Sequence, residues 1–228
     1  MTGGEGPLAL SRTLLDAARA GDDLSGLLPR LRDVDPGALV DDDARLAFWI
    51  NVYNARVKSA VRERGLRGNL LAHRGFFRAV GWDVGGRAVT LHGMEHGLLR
   101  GNRPAPWTFW RPLGRADPRL RWAVRRPDAR VHFALNCGAV SCPPVRSYAA
   151  GRIHEQLDVA TRAYLDTEVR IEGDTLVLPY LCRLYRGDFP DVRAFAADHV
   201  DDARAAWIRA HPDAPIRWGA YRWEIGEP

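Results

Sequence analysis

Segment 132–143 (HFALNCGAVSCP) brings an imidazole, an amide and two thiols within reach of one turn. The chemistry such a set can do is nucleophilic, because a cysteine thiolate attacks carbonyl carbon or sulfur once something lowers its pKa from about 8.5. Pro143 suits the first position of a helix, which predicts Cys142 as the N-cap, its sulfur beside the unpaired N–H groups of that first turn. Those groups and the helix dipole favour an anion, so Cys142 is the first candidate nucleophile. Cys137 competes. Read as a strand, 130–136 sends His132, Ala134 and Asn136 to one face and Phe133, Leu135 and Cys137 to the other, toward the core unless Gly138 breaks the alternation. A buried cysteine is ordinarily a small hydrophobe. The five-residue separation also permits a transient disulfide, although it is not a C-x-x-C motif.

Acyl chemistry at a thiol needs a base, and His132 and His96 are the choices, with Glu95 or an asparagine amide to orient the ring. Each histidine also has a plain structural reading, as a satisfied core side chain. His92, Glu95 and His96 match H-x-x-E-H, in which two histidines one helical turn apart share a zinc and the glutamate acts as base. Gly93 and Gly97 weaken that helix, and a third ligand would have to come from elsewhere. Walker A, G-x-G-x-x-G and G-x-S-x-G patterns are missing from the sequence.

The elements that must position these groups follow from periodicity. Residues 8–20 and 24–32 read as short amphipathic helices. Asp41, Asp42 and Asp43 supply a cap for a longer helix that runs to Gly65 and is apolar on almost every side between Leu46 and Ala55, which places it centrally. Asn51, Asn54 and Lys58 form a stripe along it. The two amides either tie the helix to neighbouring backbone or line a cleft. Residues 76–91 predict a hairpin over Gly85 and Gly86, 91–100 a short helix carrying His92, Glu95, His96 and Arg100, and 130–136 the best strand in the chain. A long helix is predicted from about 148 to 167. After it come a second hairpin over 173–174, a helical turn at 181–185, helices at 190–199 and 201–210, and a final strand-like run at 216–225.

The chain has 228 residues, 46% hydrophobic and 27% charged, which suits one folded core with no low-complexity linker. No apolar run approaches the roughly 20 residues of a membrane span, and the start of the chain lacks the pattern of a secretory leader, so a cytoplasmic protein is expected. The net charge of +5 reflects 33 basic against 28 acidic residues, nearly all of the basic ones arginine, spread over every segment. The seven arginines between Arg111 and Arg130, interleaved with Trp110 and Trp122, could contact nucleic acid but read more simply as a solvated, proline-broken connection. Three cysteines are too few for a disulfide scaffold.

Four blocks, 48–55 (FWINVYNA), 91–100 (LHGMEHGLLR), 132–143 and 184–189 (LYRGDF), resemble the successive blocks of the DUF547 domain, a family named for its unknown function. The resemblance covers about residues 40–190 and implies that Asn51, Asn54, Glu95, Arg100, His132, Cys137, Cys142 and Asp188 are recurrent positions whose blocks meet in one cleft. The family usually carries an acidic residue where this chain has His92, which argues against zinc. Its eukaryotic relatives occur beside glutaredoxin and DEP modules, a hint of thiol chemistry.

The expected fold is α+β, one domain of helices around a small, mostly antiparallel sheet, with a papain-like arrangement as one form of it. The expected function is a thiol hydrolase or acyltransferase acting on a small-molecule or peptide-like amide or thioester. Cys142 or Cys137 is the nucleophile and His132 or His96 the base. Glu95, Asn51, Asn54, Arg100, Asn136 and Asp188 orient these groups or hold substrate, and backbone N–H groups at the Cys142 helix start stabilise the oxyanion. That reading requires no cofactor, metal or nucleic-acid partner. Its rivals are a non-catalytic binding domain with a buried polar network, a zinc hydrolase and a thiol redox protein.

Overall fold

The structure, a computed structural model, describes residues 6–73 and 75–226. Most of the glycine-rich start, read above as leaderless, lies outside the described residues.

The fold is α+β and is organised around one buried helix. Helices α1 (Pro7–Ala20) and α2 (Leu28–Asp33) precede α3 (Asp42–Glu63), and α1 packs along α3. Asp41 caps α3 by accepting the Ala44 N–H at 2.7 Å, as the acidic cluster predicts. Every residue from Ala44 to Val57 is buried. Trp49 anchors the middle of the helix, donating its indole N–H to the Trp122 carbonyl at 3.2 Å.

Two buried amides dock the rest of the molecule on α3. Asn51 holds the backbone of Tyr148 from both sides, donating to its carbonyl and accepting its N–H, each at 2.9 Å. Asn54 donates to the Ala134 carbonyl at 3.0 Å and accepts the Asn136 N–H at 2.9 Å. The stripe is therefore a set of backbone clamps, and neither amide lines the cleft described below.

After α3 a helical turn, α4 (Phe76–Ala79), stands where the hairpin was expected to begin, and the hairpin itself is β1 (Gly81–Val84) with β2 (Arg87–Thr90). Gly85 and Gly86 both have positive φ, the backbone a tight two-residue turn requires. Residues Gly93–Leu99 form a wide π-helical segment. Then come α5 (Ile153–Glu168), β3 (Arg170–Glu172), β4 (Thr175–Leu178), α6 (Tyr180–Leu184), α7 (Val192–His199), α8 (Asp202–Ala210) and β5 (Ile216–Trp218). Strand β4 is central, antiparallel to β3 and parallel to β5. Of the two interleaved tryptophans of the basic connection, Trp122 is buried in the core and Trp110 is exposed. No helix among the described residues is long and apolar enough to cross a membrane.

Three expectations are corrected. The segment 130–136 is no strand. A 3-10 turn covers Ala129–Phe133, started by Asp128, whose carboxylate accepts the Arg130 N–H. Residues Val131 to Leu135 are all buried, so the run has no alternating face, and a continuous apolar run does not distinguish strand from turn. The helix expected from about 148 begins at Ile153, and none starts at Pro143, because Cys142 and Pro143 each precede a proline and are driven toward extended backbone. The chain stays irregular from 143 to 149, so Cys142 caps no helix. Finally, α2 begins at Leu28, not 24.

If Asn54 clamps the 134–136 backbone, Asn54→Ala leaves a buried carbonyl and N–H unpaired and should lower stability by about 2–4 kcal/mol in urea unfolding. Lys58→Ala on the same stripe should change it by less than about 0.5 kcal/mol.

Candidate active site

The cysteine turn hangs from these clamps. Asn136, held through its N–H by Asn54, donates its side-chain amide to the Pro143 carbonyl and accepts the Gly138 N–H, both at 2.8 Å. That closes residues 136–143 into a loop, so Cys137 and Cys142 come together with their sulfurs 2.8 Å apart, and the Cys137 N–H points at the Cys142 sulfur at 3.0 Å. Both cysteines are partly exposed and free.

A third group arrives from the end of the chain. Segment 221–226 runs extended between the loop at 68–70 and the cysteine turn, with Leu70 N–H to the Trp223 carbonyl and Val140 N–H to the Glu224 carbonyl, each at 2.8 Å. Tyr221, Trp223 and Ile225 face inward while Arg222 and Glu224 are exposed. The Tyr221 hydroxyl thereby reaches Cys142 at 3.2 Å and Cys137 at 3.5 Å. Burial pushes the Cys142 thiol up, but hydrogen bonds from the Cys137 thiol, the Tyr221 hydroxyl and the Cys137 N–H outweigh it and bring the thiol down to about 7. Cys137 moves the opposite way, because its proton is engaged by Cys142 and burial opposes its charge. Donors at the sulfur thus do what a helix dipole was expected to do.

The sulfurs lie in a cleft enclosing about 630 Å³ of empty space, part of it open to solvent. Phe77, Leu135, Leu181, Leu184, Trp107 and Trp223 make its apolar wall, and Glu95, His96 and His132 its polar side. Neither imidazole is in hydrogen-bond reach of a sulfur; each has another partner. His132 shares Nε2 with Asp188 Oδ2 at 2.9 Å and stacks on Tyr185, ring centroids 3.7 Å apart. With Nε2–H given to the carboxylate, Nδ1 keeps its lone pair. Burial lowers the pKa of this ring, against the pull of Asp188. His96 accepts from Arg100 at Nδ1 over 3.0 Å, which leaves the proton on Nε2, and burial pushes it down to about 4, so it is neutral at physiological pH.

Asp188 binds the two histidines into one system. Arg100 grips its carboxylate with two hydrogen bonds of 2.6 and 2.9 Å, and Arg103 adds one of 3.0 Å. Burial raises its pKa, but the bonds from His132 and Arg100 prevail and hold the carboxyl far below its usual range. Glu95 accepts from Tyr53 at 3.3 Å and from Tyr185 by a shorter bond. Burial again acts upward, but the pull of the His96 ring, the Tyr185 hydroxyl, the His132 ring and Arg100 lowers its pKa; where the rings are neutral, the Tyr185 hydroxyl and Arg100 remain to hold the charge.

Of the residues singled out in the sequence, Cys142, Cys137, His132, His96 and Glu95 line the cleft; Arg100 and Asp188 lie behind its histidines; Asn51, Asn54 and Asn136 hold backbone. Asp188, not Glu95 or an asparagine, orients His132. The strand parity that set Cys137 apart from His132 fails with the strand. Among the described residues no three histidine, cysteine, aspartate or glutamate side chains are grouped to hold a metal, and His96, accepting from Arg100 at Nδ1, carries its proton on Nε2, so neither nitrogen offers a free lone pair. Sequence reasoning missed Tyr221, Tyr185 and Tyr53. Only the alternation in 216–225 hinted at the inward side of Tyr221.

Asp188→Asn leaves the buried Arg100 guanidinium without a counter-charge and should cost about 3–5 kcal/mol near neutral pH in urea unfolding. Arg103, nearly half exposed at 46%, should cost less than about 1 kcal/mol when replaced by alanine. Because the Asp188 pKa is depressed on folding, its contribution is complete above the unfolded carboxyl value near 3.8 and fades as pH falls below that. The variant should therefore lose this part of the acid limb of the stability profile.

Comparison with curated proteins and with solved structures gives no match. The sequence model described as "Protein of unknown function, DUF547" matches residues 38–165, a stretch that holds α3, the π-helical segment and the cysteine turn and stops before Tyr185, Asp188 and Tyr221. Since that stretch is more than half of the chain, the protein belongs to the DUF547 family.

Proposed function

We propose that this protein is a thiol-dependent acyl enzyme, a hydrolase or acyltransferase, in which Cys142 attacks a thioester or a peptide-like amide. One observation carries the reading: Cys142 lines an apolar-walled cleft, and three donors at its sulfur bring its thiol to about 7. A large share of it is therefore thiolate at neutral pH without a base at the sulfur.

The thiolate adds to the acyl carbon, and the developing oxyanion takes a hydrogen bond from a cleft donor, for which His96 Nε2–H is suited. Collapse expels the leaving group and leaves the acyl group on Cys142. A thiolate departs without a proton, whereas an amine needs one that a neutral His132 does not carry, so a thioester suits this charge state better than an amide. Water or an acceptor then attacks the acyl-enzyme and gives its proton to His132 Nδ1, whose ring Asp188 orients, and the Cys142 thiolate is restored. Papain-like logic is kept in part, with the thiol ionised by hydrogen bonds in place of an imidazolium.

Alkylation by iodoacetamide, mapped by mass spectrometry across pH, tests the nucleophile. Cys142 should be modified first, with a midpoint of about 7. Cys142→Ala should abolish the neutral-pH labelling, and Tyr221→Phe should move the midpoint upward. Turnover of a simple acyl thioester should vanish in Cys142→Ala and fall by roughly 10²-fold or more in His132→Ala. First labelling at another cysteine, or a slow reaction with a midpoint at or above the free-thiol value, would favour a binding domain with a buried polar network.

A further inference from the structure

The acyl chemistry leaves the second thiol with little to do. Cys137 lies against the nucleophile, faces the same cleft and has no other charged or imidazole partner. The sulfur separation is 2.8 Å, against about 2.05 Å in a disulfide, so bond formation requires less than an ångström of further approach. The turn between the two residues is already closed, by the Cys142 N–H to the Ala139 carbonyl at 2.9 Å. At Gly138 the backbone is left-handed, with φ +94°, and a Cβ there would press on Val61 and Val57 at 3.3 and 3.5 Å. The turn is thus built to sit on α3 with its two sulfurs side by side.

We infer that Cys137 and Cys142 are a dithiol couple that reduces a small organic disulfide and closes to an internal disulfide, taking the nucleophile of the site out of use until a thiol reopens it. The inference shares with the proposed function the reactivity of Cys142 but not the acyl chemistry.

The steps balance. The Cys142 thiolate attacks one sulfur of R–S–S–R, a new S–S bond forms to give the mixed disulfide Cys142–S–S–R, and the S–S bond of the small molecule breaks, its other half leaving as RS⁻. Cys137 then loses its proton, its sulfur attacks the Cys142 sulfur, and the second RS⁻ departs and takes up that proton. Two thiols of the protein have supplied two electrons, and the small disulfide has become two thiol equivalents. The order follows from the pair itself: Cys137 resists ionisation chiefly because Cys142 engages it, and capping Cys142 as a neutral mixed disulfide removes that opposing charge. Tyr221, within 3.5 Å of both sulfurs, can donate to whichever is anionic. Cys182 is buried elsewhere, its thiol pushed up to about 12 by burial, and takes no part.

The test is to incubate the full chain with oxidised glutathione at neutral pH, quench in acid and map the thiols by mass spectrometry. The wild type should give a 137–142 disulfide, lighter than the reduced peptide by two hydrogens, with Cys182 free, and excess reduced glutathione should restore both thiols. Cys137→Ser, with Cys137→Ala as a second variant, should stop with glutathione on Cys142. Cys142→Ser should consume oxidised glutathione at least about tenfold more slowly. A glutathione adduct that persists on wild-type Cys142, a first adduct on Cys137, or pairing with Cys182 would overturn the couple. Rapid iodoacetamide labelling of Cys142 with no internal disulfide sinks this inference and spares the acyl reading. An internal disulfide without thioester turnover does the reverse.

Discussion

The carboxylate of Asp188 is the group on which the polar half of the site depends. A buried carboxylate is costly unless its lone pairs are filled, and here Arg100, Arg103 and His132 fill them. These partners come from the end of the π-helical segment, from the loop after it and from the 3-10 turn at 129–133, so one anion joins three stretches that share no secondary structure. Its effect reaches further than its own bonds. The Arg100 guanidinium that grips Asp188 also donates to His96 Nδ1 and lies 5.2 Å from the Tyr185 ring centre, and Tyr185 in turn stacks on His132 and donates to Glu95. Both imidazoles thereby have fixed tautomers, with the proton of one facing Asp188 and that of the other on Nε2.

The sulfur half is positioned independently. It depends on Asn54 and Asn136, which pass the register of α3 to the cysteine turn through hydrogen bonds between their side-chain amides and backbone. An amide suits this task, since one side chain offers both a donor and an acceptor and so clamps a peptide segment from two sides. The helix that carries Asn54 is buried over its whole central length, so the clamp has little freedom to drift. A rigid apolar helix with two amides facing irregular chain is a means of giving a loop the precision of a regular element.

Much of this was legible in the residues. The buried helix, its aspartate cap, the two hairpins, the later helices and the grouping of Glu95, His96, His132 and the cysteines in one cleft follow from periodicity, turn chemistry and block resemblance. The failures have local causes. At 131–135 the run is buried on every side, so the two-residue alternation that identifies a strand has nothing to alternate against. At 142–144 the second proline decides the backbone, because it drives Pro143 away from the helical region that a first helical position needs. The aromatic hydroxyls escaped because their roles depend on distance in space. Tyr221 stands 79 residues from Cys142, brought there by a C-terminal segment that is extended but pairs in a sheet only through isolated bridges.

The absence of an imidazole at either sulfur changes what sets the reactivity of the thiol. In a cysteine–imidazolium pair the charge of the ring stabilises the thiolate, and the ring must be protonated for the pair to exist. Here burial lowers the pKa of both rings, so their positive charge is not on offer near neutral pH. The guanidinium groups of Arg100 and Arg103 are committed to Asp188. The stabilisation of a Cys142 anion therefore has to come from short-range donors, the Cys137 N–H and thiol and the Tyr221 hydroxyl. Such donors act by direction and contact, and two of the three belong to the neighbouring cysteine. The same residue that makes Cys142 acidic is thus the one best placed to bond with it, and the ionisation and the redox state of the pair are set by a single piece of geometry.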